Sequence, residues 1–254
     1  ESLGKEGKGI IPIAGEPLLA PKNYSDDRFF VYLRFDGDNN AKTDSGVEAL
    51  RAVGHPVVQL DLRDRYDIGS EFYRWEYATA IAGAVLVVNP FDQPNVQSAK
   101  DKAAEVLKAY AATGSLPTQN ASASLENLLS RAYAGDYLAI MAYVEQTPET
   151  DGALATLRQR AMEKHHIATT VGYGPRFLHS TGQLHKGGPA TGLFLQITAD
   201  YQQDITIPGE DYSFGTLADA QSLGDIQTLD SLGRRTARVH LTGDVATGIS
   251  KLRV

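Results

Sequence analysis

The stretch that decides the fold begins Ala84-Val85-Leu86-Val87-Val88-Asn89-Pro90-Phe91-Asp92-Gln93-Pro94 and continues to about residue 113. Its first five residues are apolar and mostly β-branched, which predicts a strand buried on both faces. Pro94 suits the first position of a helix, and apolar residues then recur at helical spacing. A strand, a tight turn and a helix in succession indicate a parallel α/β sheet, whose ligands bind at the carboxyl ends of the strands.

Lys100 lies in this predicted helix, four residues after Val96 and seven before Leu107, so its spacing places it on the stripe that faces the sheet. A lysine on such a stripe is paired, is used in chemistry, or extends its ammonium along apolar surface to water. The spacing alone does not decide whether Lys100 has a chemical role or only packs its stem and extends its ammonium to water. Because helical side chains lean toward the helix N-terminus, Lys100 and the neighbouring Gln93 are predicted to face the crevice at the strand end.

Apolar runs and helical periodicities alternate along most of the chain. Strands are predicted at 29–35, 56–62, 84–88, 137–144, 168–172, 192–198 and 237–241. Helices are predicted at 45–53, 71–82, 95–113, 125–134, 148–165, 216–223 (with an extension toward 232) and 244–252, and a polar surface connection at 114–124. This alternation predicts an α/β fold, a three-layer sandwich with a mainly parallel sheet flanked by helices, in one domain covering residues 1–254. Trp75 is predicted to pack in the core.

Composition excludes several classes of function. The net charge of −7 provides no basic surface for nucleic acid or an anionic membrane. No apolar run approaches the ~20 residues of a membrane span. The absence of cysteine excludes a disulfide framework and a thiolate metal site and fits the cytoplasm, where we expect the protein. Because the chain opens with Glu1 rather than Met, we expect it to be a piece of a longer protein.

A second informative stretch runs from residue 172 to residue 189 and combines histidines, hydroxyls and an amide with glycines and prolines. It is predicted to be a glycine-rich loop that can bind a sugar through groups such as Ser180 and Gln183. His179 can serve as an acid or base near neutral pH. Metal binding by His179 and His185 would need a third ligand that the spacing does not supply. The alternative is a structural loop with solvated histidines.

Three segments resemble glucose-6-phosphate isomerases. Residues 91–100 resemble the family's C-terminal signature FDQxGVExxK, with Asn95 in place of Gly and Gln97 in place of Glu. Residues 1–5 resemble its Glu-Ser-x-Gly-Lys segment, and residues 178–183 resemble its Leu-His-Ser-x-Gly-Gln segment. In the family the histidine segment usually precedes the FDQ segment. The reverse order here is similar to the isomerase part of bacterial fused transaldolase/glucose-6-phosphate isomerases, and the resemblance extends over most of the chain.

The resemblance implies a C-terminal sugar-isomerase (SIS-like) domain that interconverts glucose 6-phosphate and fructose 6-phosphate through a cis-enediol. It implies that Glu1 moves the proton between C1 and C2, that His179 opens the sugar ring, and that Lys100 and Gln93 lie beside the enediolate. No metal or other cofactor is implied. Much of the phosphate site would come from the rest of the parent chain, so the isolated chain is predicted to be inactive, and the parent is predicted to be a homodimer.

Three alternatives remain at this point. The chain could be a non-catalytic domain of the same fold that binds a sugar phosphate for regulation. It could be an interaction module in which Lys100 and the histidines have no chemical role. It could also belong to another aldose–ketose isomerase, for example one acting on mannose 6-phosphate.

Overall fold

A computed structural model describes residues 1–117 and 123–254, with the backbone but not the side chain of Ala99. Its strands are β1 (Phe30–Phe35), β2 (Val57–Leu62), β3 (Tyr137–Tyr143), β4 (Ala168–Tyr173), β5 (Gly192–Ala199) and β6 (Arg235–Leu241). Its α-helices are α1 (Ala41–Ala52), α2 (Asp67–Leu86), α3 (Pro94–Thr113), α4 (Leu125–Leu129), α5 (Pro148–His165), α6 (Thr181–Gly187), α7 (Phe214–Ser231) and α8 (Val245–Ser250). Residues 118–122 of the predicted connection at 114–124 lie outside the described residues. No helix in the described ranges is long and apolar enough to cross a membrane.

The larger sheet has the strand order β4-β3-β5-β6, with every pair parallel. Both central strands, β3 and β5, are buried along their whole length. Alternate residues of β3 face opposite ways: Leu138 and Ile140 pack with leucines of α4 and α5, whereas Tyr137 and Met141 pack with Ile226 and Leu229 of α7. Helices therefore cover both faces of this sheet, which confirms the predicted three-layer α/β fold.

The first two strands form a separate sheet, because β1 pairs only with β2 in the described part of the chain, and in parallel. This pair is joined to the rest by a small apolar cluster in which Leu50 of α1 and Met162 of α5 are both fully buried. Phe30 and Val57 pack against the same cluster. The strands predicted as one sheet thus form two, connected by side-chain packing rather than by backbone hydrogen bonds.

The predicted strand at 84–88 is wrong, because α2 continues through Ala84 to Leu86. The helix ends when Val87 adopts a left-handed conformation with φ 56°, and the Val88 N–H then donates to the Gly83 carbonyl. A buried strand and the end of a helix can both contain a short run of apolar residues, so the pattern does not tell them apart. The run is also not buried on both faces, because Val85 and Val87 are 77% and 76% exposed. The predicted core position of Trp75 is also wrong, since this residue of α2 is 46% exposed.

Helix α3 packs against α7 along a line of small and aliphatic side chains. Ala103 and Val106 are buried there, and a methyl group added at Gly224 would lie 2.7 Å from the Ala103 backbone nitrogen. The prediction that Lys100 faces the sheet is wrong, because its side chain is exposed. At about 100° per residue, Lys100 lies about 60° from Ala103 and about 120° from Val106 around the axis, beside the buried stripe rather than on it.

Two helical glycines provide a matched test of this packing. Gly224→Ala is expected to lower the free energy of unfolding by about 1–3 kcal/mol, because the new methyl group has to displace the α3 backbone. Gly152→Ala in α5 meets no atom within 4 Å, so it is expected to raise stability by about 0.5–1 kcal/mol through its higher helix propensity. Urea unfolding of both variants is the measurement, and similar effects at the two positions would contradict the close approach of α3 to α7.

Candidate functional site

The N-terminal segment forms a tight turn that lies against α6. The Gly4 N–H donates to the Glu1 carbonyl at 3.1 Å, and the Lys5 and Lys8 backbones hydrogen bond to each other in both directions. The Gly7 N–H donates to the carbonyl of Gly187 at the end of α6, at 3.0 Å. These backbone bonds give Glu1 a defined position although it is the first residue of the chain.

A buried amide joins the three segments that carry the family resemblance. Gln183 of α6 is fully buried, and its Oε1 accepts a hydrogen bond from the Asn95 N–H at 2.9 Å. Its Nε2 donates to the Gly4 carbonyl at 2.8 Å and to Asn95 Oδ1 at 2.7 Å. The N-terminal turn, the start of α3 and α6 are therefore held around one side chain. Every polar atom of that side chain is engaged with protein groups.

The two lysines of the N-terminal turn hold the segment between α2 and α3. The buried Lys5 ammonium donates to the Asn89 carbonyl and pairs with Asp92 Oδ1 at 2.5 Å. The hydrogen bond from Lys5 lowers the pKa of the Asp92 carboxyl. Lys8 Nζ donates to the Leu86 carbonyl at 3.1 Å, where the α2 dipole favours a cation. The N-terminal turn thus holds the FDQ segment, residues 91–93, in place.

Glu1 stands at a small cavity between the N-terminal turn, α6 and strands β3 and β4. Its Oε1 accepts a hydrogen bond from Thr181 Oγ1 at 2.9 Å. Glu1, Thr181 and His185 line the cavity, whose volume is about 90 Å³. The hydrogen bond from Thr181 engages only Oε1 of the Glu1 carboxylate. A carboxylate held in this way at the edge of a cavity is suited to act as a general base.

Two further polar side chains of α6 are buried. Lys186 Nζ pairs with Asp225 Oδ1 of α7 at 2.5 Å, with both side chains almost inaccessible to solvent. His185 is 3% exposed. Burial, together with the nearby positive charges of Lys186 and Arg234, lowers the pKa of His185 to about 3, so its ring is neutral at pH 7.

The other predicted site residues lie on the surface. Lys100, His179, Ser180 and Gln93 are all exposed, and Gln93 is the N-cap residue of α3 without a side-chain capping bond. In residues 1–117 and 123–254 no hydrogen bond or ion pair joins Lys100 or His179 to Glu1. The structure therefore brings Glu1 and Gln183 to one place, through Thr181 and α6, and leaves the proposed roles of Lys100, His179, Ser180 and Gln93 as predictions.

The prediction of a glycine-rich loop at 172–189 is wrong in one respect, because residues 176–179 form a 3₁₀ turn and residues 181–187 form α6. His185, Lys186 and Asp225 are therefore buried groups that the sequence did not predict, and the alternative of a loop with solvated histidines is wrong for His185. A signal for one of them was present: Asp225 lies seven residues after Ala218 and four before Leu229, on the same face of α7 as these apolar residues. In the described ranges, no three His, Asp or Glu side chains come together in a way that could hold a metal ion.

The Gln183 amide can be tested by removing its hydrogen-bonding groups. Gln183→Leu leaves the Asn95 N–H and the Gly4 carbonyl without partners in the interior, so it is expected to lower the free energy of unfolding by about 3 kcal/mol. The control is the exposed Gln202→Leu, which is expected to change stability by less than about 0.5 kcal/mol. Equal effects of the two variants in urea unfolding would contradict the role of Gln183.

The buried His185 predicts a specific dependence of stability on pH. Its pKa is about 3 when folded and about 6.5 when unfolded. As pH falls from about 6.5 toward 3, only the unfolded state takes up this proton, so stability is lost. His185→Phe is expected to remove this contribution, up to about 1.4 kcal/mol per pH unit within that window.

The measurement is urea unfolding of wild type and variant at several pH values between 7 and 4. The exposed His166→Asn is the control, and it is expected to keep the wild-type dependence. A constant difference between wild type and His185→Phe across this range would show that His185 is not buried in its neutral form.

Part of this chain is related in sequence to glucose-6-phosphate isomerases, although no protein-family model matches it. The isomerase of Enterococcus faecalis is 38% identical over a match covering 39% of this chain and 30% of the relative. The isomerase of Acholeplasma laidlawii is 33% identical, covering 39% of this chain and 22% of the relative. The isomerase of Streptococcus pyogenes is 38% identical over a match covering 36% of this chain and 19% of the relative. The matches thus span less than a third of the length of these relatives.

One solved structure, of a hypothetical protein from Thermus thermophilus, aligns with 94% of this chain and 68% of its own at 15% identity. Its TM-score of 0.38 is too low to indicate a shared fold. The α/β architecture therefore rests on the strands and helices described above, and the relationship rests on the sequence matches to glucose-6-phosphate isomerases.

Proposed function

We propose that this chain is part of an aldose–ketose isomerase that interconverts glucose 6-phosphate and fructose 6-phosphate. The observation that carries the proposal is the position of Glu1, fixed by the N-terminal turn and by Thr181 at the edge of a cavity. The partial similarity to glucose-6-phosphate isomerases supports it. The placement as the C-terminal domain of a transaldolase fusion belongs to the same proposal and rests on the motif order. The proposed cytoplasmic location rests on the absence of cysteine.

In the proposed reaction the Glu1 carboxylate removes the proton from C2 of the open-chain aldose. The C–H electron pair forms the C1=C2 bond, and the C1 carbonyl oxygen takes up a proton to complete the cis-enediol. The O2 hydroxyl then loses its proton as C2 becomes a carbonyl, and Glu1 returns its proton to C1. No redox partner is needed, because the sugar is oxidised at C2 and reduced at C1.

The surface residues complete the proposed site. His179 protonates the ring oxygen during opening, and Lys100 with Gln93 stabilises the enediolate oxygens. Ser180 and Gln183 contribute sugar contacts, Gln183 through the backbone that its amide holds in place. Because Lys100 and His179 are exposed here, the proposal needs the remainder of the parent chain, or a second subunit of a dimer, to enclose the sugar and bind its phosphate.

A non-catalytic role in binding a sugar phosphate is the second candidate. One observation favours it: no described contact joins Lys100 or His179 to Glu1, so the proposed catalytic groups are not assembled within this chain. In that case the chain, alone or within its parent, binds fructose 6-phosphate without converting it.

The test is conversion of fructose 6-phosphate to glucose 6-phosphate by the parent protein. Glu1→Gln, Lys100→Ala and His179→Ala are each expected to lower kcat/KM by roughly a hundredfold or more, the scale of an acid–base or electrostatic group. The isolated chain is expected to be inactive and to gain activity when mixed with the rest of the parent.

Matched controls use exposed residues of the same types: Glu6→Gln in the same turn, Lys108→Ala on the same helix and His166→Asn. These are expected to keep activity within about threefold of wild type. An active parent in which Lys100→Ala and His179→Ala match their controls would contradict the roles given to the two residues. A parent that binds the sugar phosphate without turnover would favour the regulatory candidate.

A further inference from the structure

The cavity beside Glu1 is closed on most sides by apolar groups. Its apolar wall consists of Pro12, Ala14, Ile140, Val171, Phe177 and Leu184. Glu1 and Thr181 lie at the N-terminal end of α6, and His185 lies one turn further along the same helix. Tyr137 and Thr170, which carry hydroxyl groups, also line the cavity. The cavity therefore presents a carboxylate, hydroxyl-bearing side chains and an imidazole within mainly apolar walls, a common arrangement in small-molecule sites.

The imidazole of His185 has no hydrogen-bond partner among the described residues. Both ring nitrogens are buried and unpaired within the part of the chain that the structure describes. The ring lies between Phe194, 4.9 Å away between centroids, and Phe177, 5.9 Å away. Buried polar groups are normally paired, as the neighbouring Lys186 is with Asp225. An unpaired donor and acceptor on a cavity wall is therefore a feature that a ligand would satisfy.

The size of the cavity limits what can enter. At about 30 Å³ per water molecule, its 90 Å³ holds about three waters. Sites that enclose a whole small molecule are usually ~300–1,000 Å³. A hexose phosphate can therefore insert only one end. The charged phosphate is excluded because the lining residues include the Glu1 carboxylate and no lysine or arginine, which leaves the hydroxylated end that carries C1 and C2.

We infer that this cavity takes the C1–C2 end of the sugar phosphate and that His185 hydrogen bonds directly to one of its oxygens. The inference rests on the proposed function and adds a substrate-contacting residue to it. A neutral imidazole donates from one nitrogen and accepts at the other, so it matches a hydroxyl or a carbonyl. In this position the sugar carbons lie beside the Glu1 carboxylate, at the edge of the same cavity.

The two explanations of His185 make opposite predictions for His185→Phe. If His185 only packs, phenylalanine removes two unpaired nitrogens and is harmless or stabilising. If His185 binds the sugar, His185→Phe loses a hydrogen bond to substrate and weakens fructose 6-phosphate binding roughly ten- to a hundredfold. His185→Gln keeps a donor and an acceptor and is expected to restore most of that loss.

The experiment measures fructose 6-phosphate binding by calorimetry, and kcat/KM in the parent, for wild type and both variants. Thermal melting checks that each variant is folded. Inorganic phosphate serves as a probe of the phosphate site alone, and its binding is expected to be the same in wild type and His185→Phe.

If His185→Phe fails to fold, the ring nitrogen resonances of the ¹⁵N-labelled wild-type protein decide instead, since they must shift when the sugar phosphate is added. Unchanged sugar binding and activity in His185→Phe overturns the inference and leaves the proposed isomerase intact. Absence of both sugar binding and turnover in the wild-type parent overturns the proposed function and the inference with it.

Discussion

The arrangement of the site depends on one buried side chain, the Gln183 amide. Its three hydrogen bonds reach Gly4, 179 residues away along the chain, and two atoms of Asn95, 88 residues away. In a low-dielectric interior an amide with all its polar atoms paired favours one arrangement strongly, because any other leaves groups unpaired. The N-terminal turn, the start of α3 and α6 are therefore placed relative to one another by the geometry of this group.

Helix α6 is unusual because three of its seven residues, Gln183, His185 and Lys186, are buried polar side chains. Gln183 is paired with backbone and side-chain groups, and Lys186 is paired with Asp225 across to α7. A buried ion pair of this kind adds little net stability compared with apolar packing, but leaving one partner alone is costly, so it fixes where α6 lies on α7. His185 lies between the two and adjoins the cavity, and its ring nitrogens have no hydrogen-bond partner among the residues that the structure describes.

The three segments that resemble glucose-6-phosphate isomerases come together in the structure, and the proposed function places the chemistry beside them. The motif segments meet at Gln183 rather than being dispersed over the surface, and Glu1 is held by Thr181 at the cavity. The exposed positions of Lys100 and His179 are compatible with a site that is completed by chain outside this sequence. Within the proposal, this chain supplies the base and the pocket for the reacting carbons, and the rest of the protein supplies the phosphate site.

The sequence by itself determined the elements whose signals are local. Helix α5 begins where predicted because Pro148 suits its first turn and Thr147 accepts the Thr150 N–H, and β3 and β5 are evident as apolar runs because both of their faces are buried. The tertiary structure alone decided where α2 ends, which side of α3 is buried and that α6 is a buried helix. Each of these depends on what packs against the segment. For Gln183 the partners are far away in sequence, so neither spacing nor periodicity could reveal them.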